Sequence, residues 1–197
     1  MPNKEEQTIQ IFNQYFGKQI SWMCAGIEAT LVAKETNHTC ALALSTYTEI
    51  LGGLVTGQLK EIGNTRKNYE AFLPYLGQAY VDLDNQIKTQ YPDRLKNLFS
   101  AVRSKLVHEF ALRESHFVVK VEKPRDNKIG LELLTHKTNI AEMIHINFYL
   151  TEYYRDFKHG IETYKKALGT SDELFGKFLY SLKDFDVPTE NTENRVP

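Results

Sequence analysis

The sequence predicts a mainly α fold with one β-hairpin insertion at about residues 116–135 and a long C-terminal helix. Apolar residues recur at three- and four-residue spacing over most of the chain, the period of one helical face. Around Phe117 to Leu134 the period shortens to two, the mark of half-buried strands. From Asn139 to Leu168 apolar residues return at helical spacing and cover more than one face. Such a helix is expected between neighbours or in a subunit interface.

The elements follow in order. Lys4 to Phe16 reads as a short helix with Ile9, Ile11, Phe12, Tyr15 and Phe16 on its apolar face, ended by Gly17. Residues 19–34 give a second helix. Residues 40–60 place Leu44, Tyr47, Leu51, Leu54 and Val55 on one side and Ser45, Glu49, Gly52, Gly53 and Thr56 on the other. Each of the two adjacent glycines costs a helix about 1 kcal/mol relative to alanine, so close approach by a second helix is expected there.

After Gly63 and Asn64, the residues Tyr69, Phe72, Leu76, Tyr80, Leu83 and Ile87 line one stripe, with Pro74 at a helix start or a kink. Pro92 and Asp93 open the next helix, which runs to Phe110 on a core face of Leu95, Leu98, Phe99, Val102, Leu106 and Phe110. In the hairpin, Phe117, Val119 and Val121 pair with Ile129, Leu131 and Leu133 across the turn sequence PRDNK. Asn139 and Glu142 form a capping box for the long helix. Ser171 and Asp172 cap a final helix to Leu182. Residues 1–183 are expected to form a single helical domain, and 184–197 a polar, disordered tail.

Composition narrows the function classes. Hydrophobic residues make up 42% and charged residues 25%, which fits neither disorder nor a membrane protein. There is no apolar leader and no long apolar run, so a cytoplasmic protein with no membrane partner is expected. Cys24 and Cys40 match no zinc or CxxC pattern and read as reduced, buried thiols. Phosphate-loop, dinucleotide-binding, zinc-protease and α/β-hydrolase motifs are all missing. His136, His145 and His159 make no metal-ligand spacing with a carboxylate, so no metal and no cofactor are expected.

A net charge of -1 hides an uneven distribution: nine Lys or Arg stand against four Asp or Glu between Arg94 and Lys128. Inside this basic segment lies the stretch RSKLVHEFALRESH, Arg103 to His116. On an ideal helix the five-residue step from Arg103 to His108 turns a side chain by about 140°. Arg103 falls on the shoulder of the apolar stripe, and His108 on the far side near Ser104.

Arg103, Ser104 and His108 on a late helix resemble the HEPN superfamily motif, an arginine and a histidine four to six residues apart with a polar residue directly after the arginine. The stretch LSTYTEILGGL is similar to an early family helix that bears a polar or acidic residue, here Glu49. The resemblance covers the motif helix and, more loosely, the segment from Cys40 to Phe110. It implies an HEPN-like four- to five-helix bundle and a homodimer whose two motifs meet across the interface. The hairpin and the long C-terminal helix are an elaboration on that pattern. Two positions depart from it. Ser104 stands where asparagine or aspartate is favoured, and Phe110 stands where the toxin branch carries a tyrosine two residues after the histidine.

The implied activity is metal-independent RNA cleavage. An RNA 2′-hydroxyl attacking its own phosphate needs a proton acceptor and a partner for the charge that gathers on phosphorus. Histidine suits the first task and the arginine fork the second. Arg103 and His108 are the catalytic candidates, Ser104 and Glu49 the supporting ones, and Lys105, Arg113, His116 and Lys120 the nucleic-acid contacts. The expected partners are a second copy of the chain, RNA and a cognate antitoxin. The alternative is a non-catalytic HEPN-like domain that binds nucleic acid or a partner.

Overall fold

The structure is a computed structural model that describes residues 4–33, 36–108, 117–120, 128–137 and 142–183. Helices dominate it and one small three-stranded sheet completes it. Among the described residues no helix is long and apolar enough to cross a membrane.

Helix α3 (Asn37–Thr56) is the centre, packed against α2 (Ile20–Val32), α4 (Thr65–Leu76), α7 (Leu150–Leu168) and α8 (Asp172–Leu182). Its Leu44, Leu51 and Leu54 are fully buried together with Tyr69 and Phe72 of α4 and Phe157 and Tyr164 of α7. Burying a side chain of this size contributes about 1.5–3 kcal/mol. The adjacent glycines have the expected consequence. A Cβ on Gly52 would stand 1.6 Å from the Asn68 carbonyl oxygen, so α4 crosses α3 at a distance only glycine permits. The two-faced helix α7 lies between α2, α3, α4 and α8, and its start at Ser171-capped α8 is mirrored by a side-chain bond from Ser171 Oγ to the Leu174 N–H.

Several boundaries differ from the sequence expectation. Gly17 does not end the first helix: α1 (Lys4–Gln14) passes through a π turn at Tyr15–Gln19 directly into α2. Pro74 lies inside α4, one turn before Gly77 with φ 134° separates it from α5 (Gln78–Gln90). The helix expected from Pro92 starts at Leu98 instead, because residues 92–95 form turns and Lys96 adopts φ 65°. The carboxylate of Asp84 accepts the Leu98 N–H at 2.7 Å and Asn97 Oδ1 accepts the Ser100 N–H at 2.8 Å, so the start is set by two side-chain caps. That helix continues through a second π turn at Ser100–Ser104 into α6 (Lys105–His108).

The hairpin expectation is corrected. Strands β1 (Phe117–Lys120) and β2 (Leu131–Lys137) are not neighbours; β3 (Glu142–Tyr149) lies between them in the order β1-β3-β2. β1 runs parallel to β3, with Phe117 opposite Ile146, and β2 runs antiparallel to it, with Leu131 opposite Phe148. The first half of the expected long helix is therefore a strand, and α7 begins only at Leu150. Ile144, Ile146 and Phe148 fit both periods, but all three are buried and alternate with His145 and Asn147. β-branched and aromatic residues on a half-buried sheet win over the helical reading. Glu142 belongs to β3 rather than to a capping box, and its expected partner Asn139 lies outside the described residues. The expected tail, 184–197, also lies outside them.

Candidate functional site

Arg103 is held by the π turn that precedes α6, and its side chain reaches α3. There Arg103 Nε donates to Glu49 Oε2 at 3.1 Å. Both side chains are mostly covered, at 20% and 16% exposure. The pair joins residues 54 positions apart, and both were marked for the site from sequence. A π turn is a rare, wider turn that recurs at functional sites. It is not specific by itself, since the other π turn of this chain, Tyr15–Gln19, carries no chemistry of this kind. The extra residue in the turn also means that the ideal 140° offset from Arg103 to His108 does not apply.

Ser104 closes the π turn, half-buried. The backbone of His108 ends α6, while its side chain lies outside the described part of the structure. Arg113 and His116 lie outside the described residues altogether.

The remaining candidate cations separate. Lys105, the first residue of α6, lines a pocket of about 220 Å³ with Arg94, Leu95 and Ile144. Lys120 sits at the end of β1 with Nζ 5.9 Å from the centre of the Tyr149 ring. Beside it Tyr149 donates to Glu132 Oε2 at 2.6 Å, and Asn147 Nδ2 reaches the same oxygen at 3.3 Å. The Tyr149 bond holds the Glu132 carboxyl below its ordinary range against the opposing effect of burial, with Asn147 and Lys128 assisting. Asn147 is 1% exposed, and its Oδ1 has no hydrogen-bond partner.

The histidines of the last third are peripheral. His136 is exposed on β2 and stacks at 5.0 Å on half-buried His145 of β3, and His159 is exposed on α7. Among the described residues no three His, Cys, Asp or Glu are grouped to hold a metal ion. Cys24 and Cys40 are free thiols, both pushed up in pKa by burial.

Sequence reading missed a polar network at the junction of α5, α7 and β2. Tyr80 donates to Asp156 Oδ2 at 2.7 Å, and the Gly130 N–H reaches the same oxygen at 3.2 Å. Arg155 clamps Asp156 Oδ1 through Nε at 2.9 Å and Nη2 at 2.7 Å. Burial and the neighbouring Asp156 raise the Tyr80 phenol well above its ordinary pKa. Next to it Tyr153, pushed up to about 12 by burial, shares its hydroxyl with Thr48 at 3.0 Å and Tyr69 at 3.3 Å. The only sequence signal was the run YYRD on α7, which reads as surface polarity until the fold is known. With two donors on each oxygen, Asp156 is saturated, and the network is a structural one.

Arg94 was also missed as a site residue, because a helix start at Pro92 would have put it on a solvated first turn. No family model, curated protein or solved structure matches the chain.

Proposed function

We propose that the chain is an HEPN-like protein that acts on RNA as a metal-independent endoribonuclease, of the toxin or defence type, with a composite site at a homodimer interface. The observation that carries the reading is the ion pair between Arg103 and Glu49, which joins the motif helix to the one early helix that the family resemblance singles out. In this reading Glu49 fixes the guanidinium at Nε, and the fork is aimed at the scissile phosphate. His108 takes the 2′-hydroxyl proton, and Ser104 steadies a phosphate oxygen. A second copy supplies the facing half of the cleft, and a cognate antitoxin would act by covering it.

The test is single-stranded RNA incubated with purified protein in EDTA. Cleavage is expected, and His108→Ala and Arg103→Ala should each lower its rate by about 10²–10⁴-fold while the circular dichroism stays that of the parent. Equal cleavage by parent and variants would assign the activity elsewhere.

One observation favours a second reading. Arg103 and Glu49 neutralise each other under substantial cover, as they would in a clamp between helices. That is what a non-catalytic HEPN-like domain requires, and it predicts RNA or partner binding with no cleavage by the parent.

A further inference from the structure

The pocket beside Lys105 is formed by three separate elements. Arg94 and Leu95 come from the turn after α5, Lys105 from α6 and Ile144 from β3. Leu95 and Ile144 are buried and make an apolar floor. The two cations stand at its rim, and among the described residues that line it there is no carboxylate. The turn is fixed from both sides. The Tyr91 carbonyl accepts the N–H groups of Arg94, Leu95 and Lys96 at 3.3, 3.0 and 3.2 Å, and the Tyr91 hydroxyl meets Thr135 Oγ1 of β2 at 3.1 Å. Lys96 is held at φ 65° in the same turn, a left-handed backbone that an ordinary residue keeps only where its surroundings impose it.

A volume of about 220 Å³ is below the range of whole-ligand clefts and suits a single compact group. Two positive charges over a low-dielectric floor favour an anion more strongly than the same charges in open water. A guanidinium fork and an ammonium point charge together are the usual means of holding a phosphate. Lys105 follows Arg103 by two residues, about 200° on α geometry, so the pocket opens on the opposite side of the helix from the Glu49 pair.

We propose that this pocket is a phosphate subsite that takes one phosphodiester group of single-stranded RNA, away from the position of cleavage, through Arg94 and Lys105. The identity of the anion's carrier rests on the RNA reading above; the pocket itself rests on its own geometry. Free inorganic phosphate shares the chemistry and serves as the second probe.

The experiment uses the full chain carrying His108→Ala, so that RNA stays intact, and follows the anisotropy of a labelled unstructured oligonucleotide against salt. Adding R94Q and K105Q together should weaken binding and lower the slope of log affinity against log salt by about 0.7, the value of one phosphate on a single strand. The loss should be the same for different base sequences, since a phosphate contact carries no sequence information. Arg66→Gln, a surface cation of α4 paired with Glu70, should leave the slope unchanged. Inorganic phosphate at constant ionic strength should displace RNA from the parent and not from the double variant.

An unchanged slope in the double variant, an equal loss in Arg66→Gln, or equal displacement by phosphate from both proteins overturns the subsite. The two readings fail separately. Cleavage that depends on His108, with an unchanged slope, removes the pocket alone; the slope loss, with no cleavage by wild type, removes the ribonuclease alone. No RNA binding by the parent removes both.

Discussion

Two arginine–carboxylate pairs bind this structure together, and they are built differently. Asp156 of α7 receives two bonds from Arg155 on one oxygen, and Tyr80 and the Gly130 N–H on the other. Glu49 of α3 receives Arg103 through Nε alone at 3.1 Å, from a π turn. The first pair ties α5, α7 and the start of β2 with its hydrogen bonds complete. A carboxylate in that state has nothing left to offer a substrate, and its removal strands several buried donors at once. The second has a single ladderless contact, supplied by a backbone turn that costs the helix regularity. Saturation marks stability, and the thinner contact is where chemistry has room.

The contrast predicts opposite outcomes for two substitutions. Asp156→Ala should produce the largest loss of stability, about 2–4 kcal/mol by urea denaturation, because Tyr80 and the Gly130 N–H lose a charged acceptor in the interior. Its RNA cleavage, measured where the protein is fully folded, should match wild type. Glu49→Gln keeps an acceptor for Arg103 and removes the charge. It should cost less than about 1 kcal/mol in stability, yet lower cleavage about tenfold, equivalent to about 1.4 kcal/mol at the transition state. If Glu49→Gln instead unfolds more readily than Asp156→Ala and cleaves normally, the assignment of the two pairs is reversed.

Tyr80→Phe probes the saturated network more gently. The Gly130 N–H keeps Asp156 as acceptor, and Arg155 keeps its clamp, so about 1 kcal/mol should be lost. A loss as large as that of Asp156→Ala would mean that the phenol, and not the carboxylate, is the hub.

Helical content and the main core stripes were legible because three- and four-residue spacing survives in α3, α4 and α7 whatever their neighbours do. The close approach at Gly52 was legible for a similar reason, since adjacent glycines in a helix need a steric explanation. The sheet was misread because Met143, Ile144 and Phe148 satisfy helical spacing as well as alternation, and only the burial of Ile146 between β1 and β2 decides between them. The start of the motif helix depended on Asp84, a cap fourteen residues away that no local pattern contains. For the same reason Arg94 was placed on a helix and its pocket was missed. Of the site, Arg103 and Glu49 were legible only through the family resemblance. Their contact was not, because a π turn has no recognised signature in composition or period.

Glu132 lies between the two extremes, and it offers the smallest and most specific effect. Its carboxylate is half-buried on the sheet, bonded by Tyr149 at 2.6 Å, by Asn147 at 3.3 Å and by Lys128 at 3.5 Å. The Tyr149 bond, ahead of the opposing burial, keeps its pKa in the folded state below that of the unfolded chain. A depressed carboxylate pKa means that the unfolded chain takes up its proton first as pH falls. The contribution is therefore present at neutral pH and is lost as the pH drops through the folded-state value. Glu132→Gln cannot titrate, so the difference in unfolding free energy between wild type and variant should be a few tenths of a kcal/mol at pH 7 and should shrink towards pH 3. Urea midpoints of the two proteins across that range measure it directly. A difference that stays constant with pH would show that Glu132 contributes through packing and neutral hydrogen bonds alone. It would then belong with Asp156 as a saturated structural acceptor, rather than as a charge that the sheet keeps ionised beside Lys120.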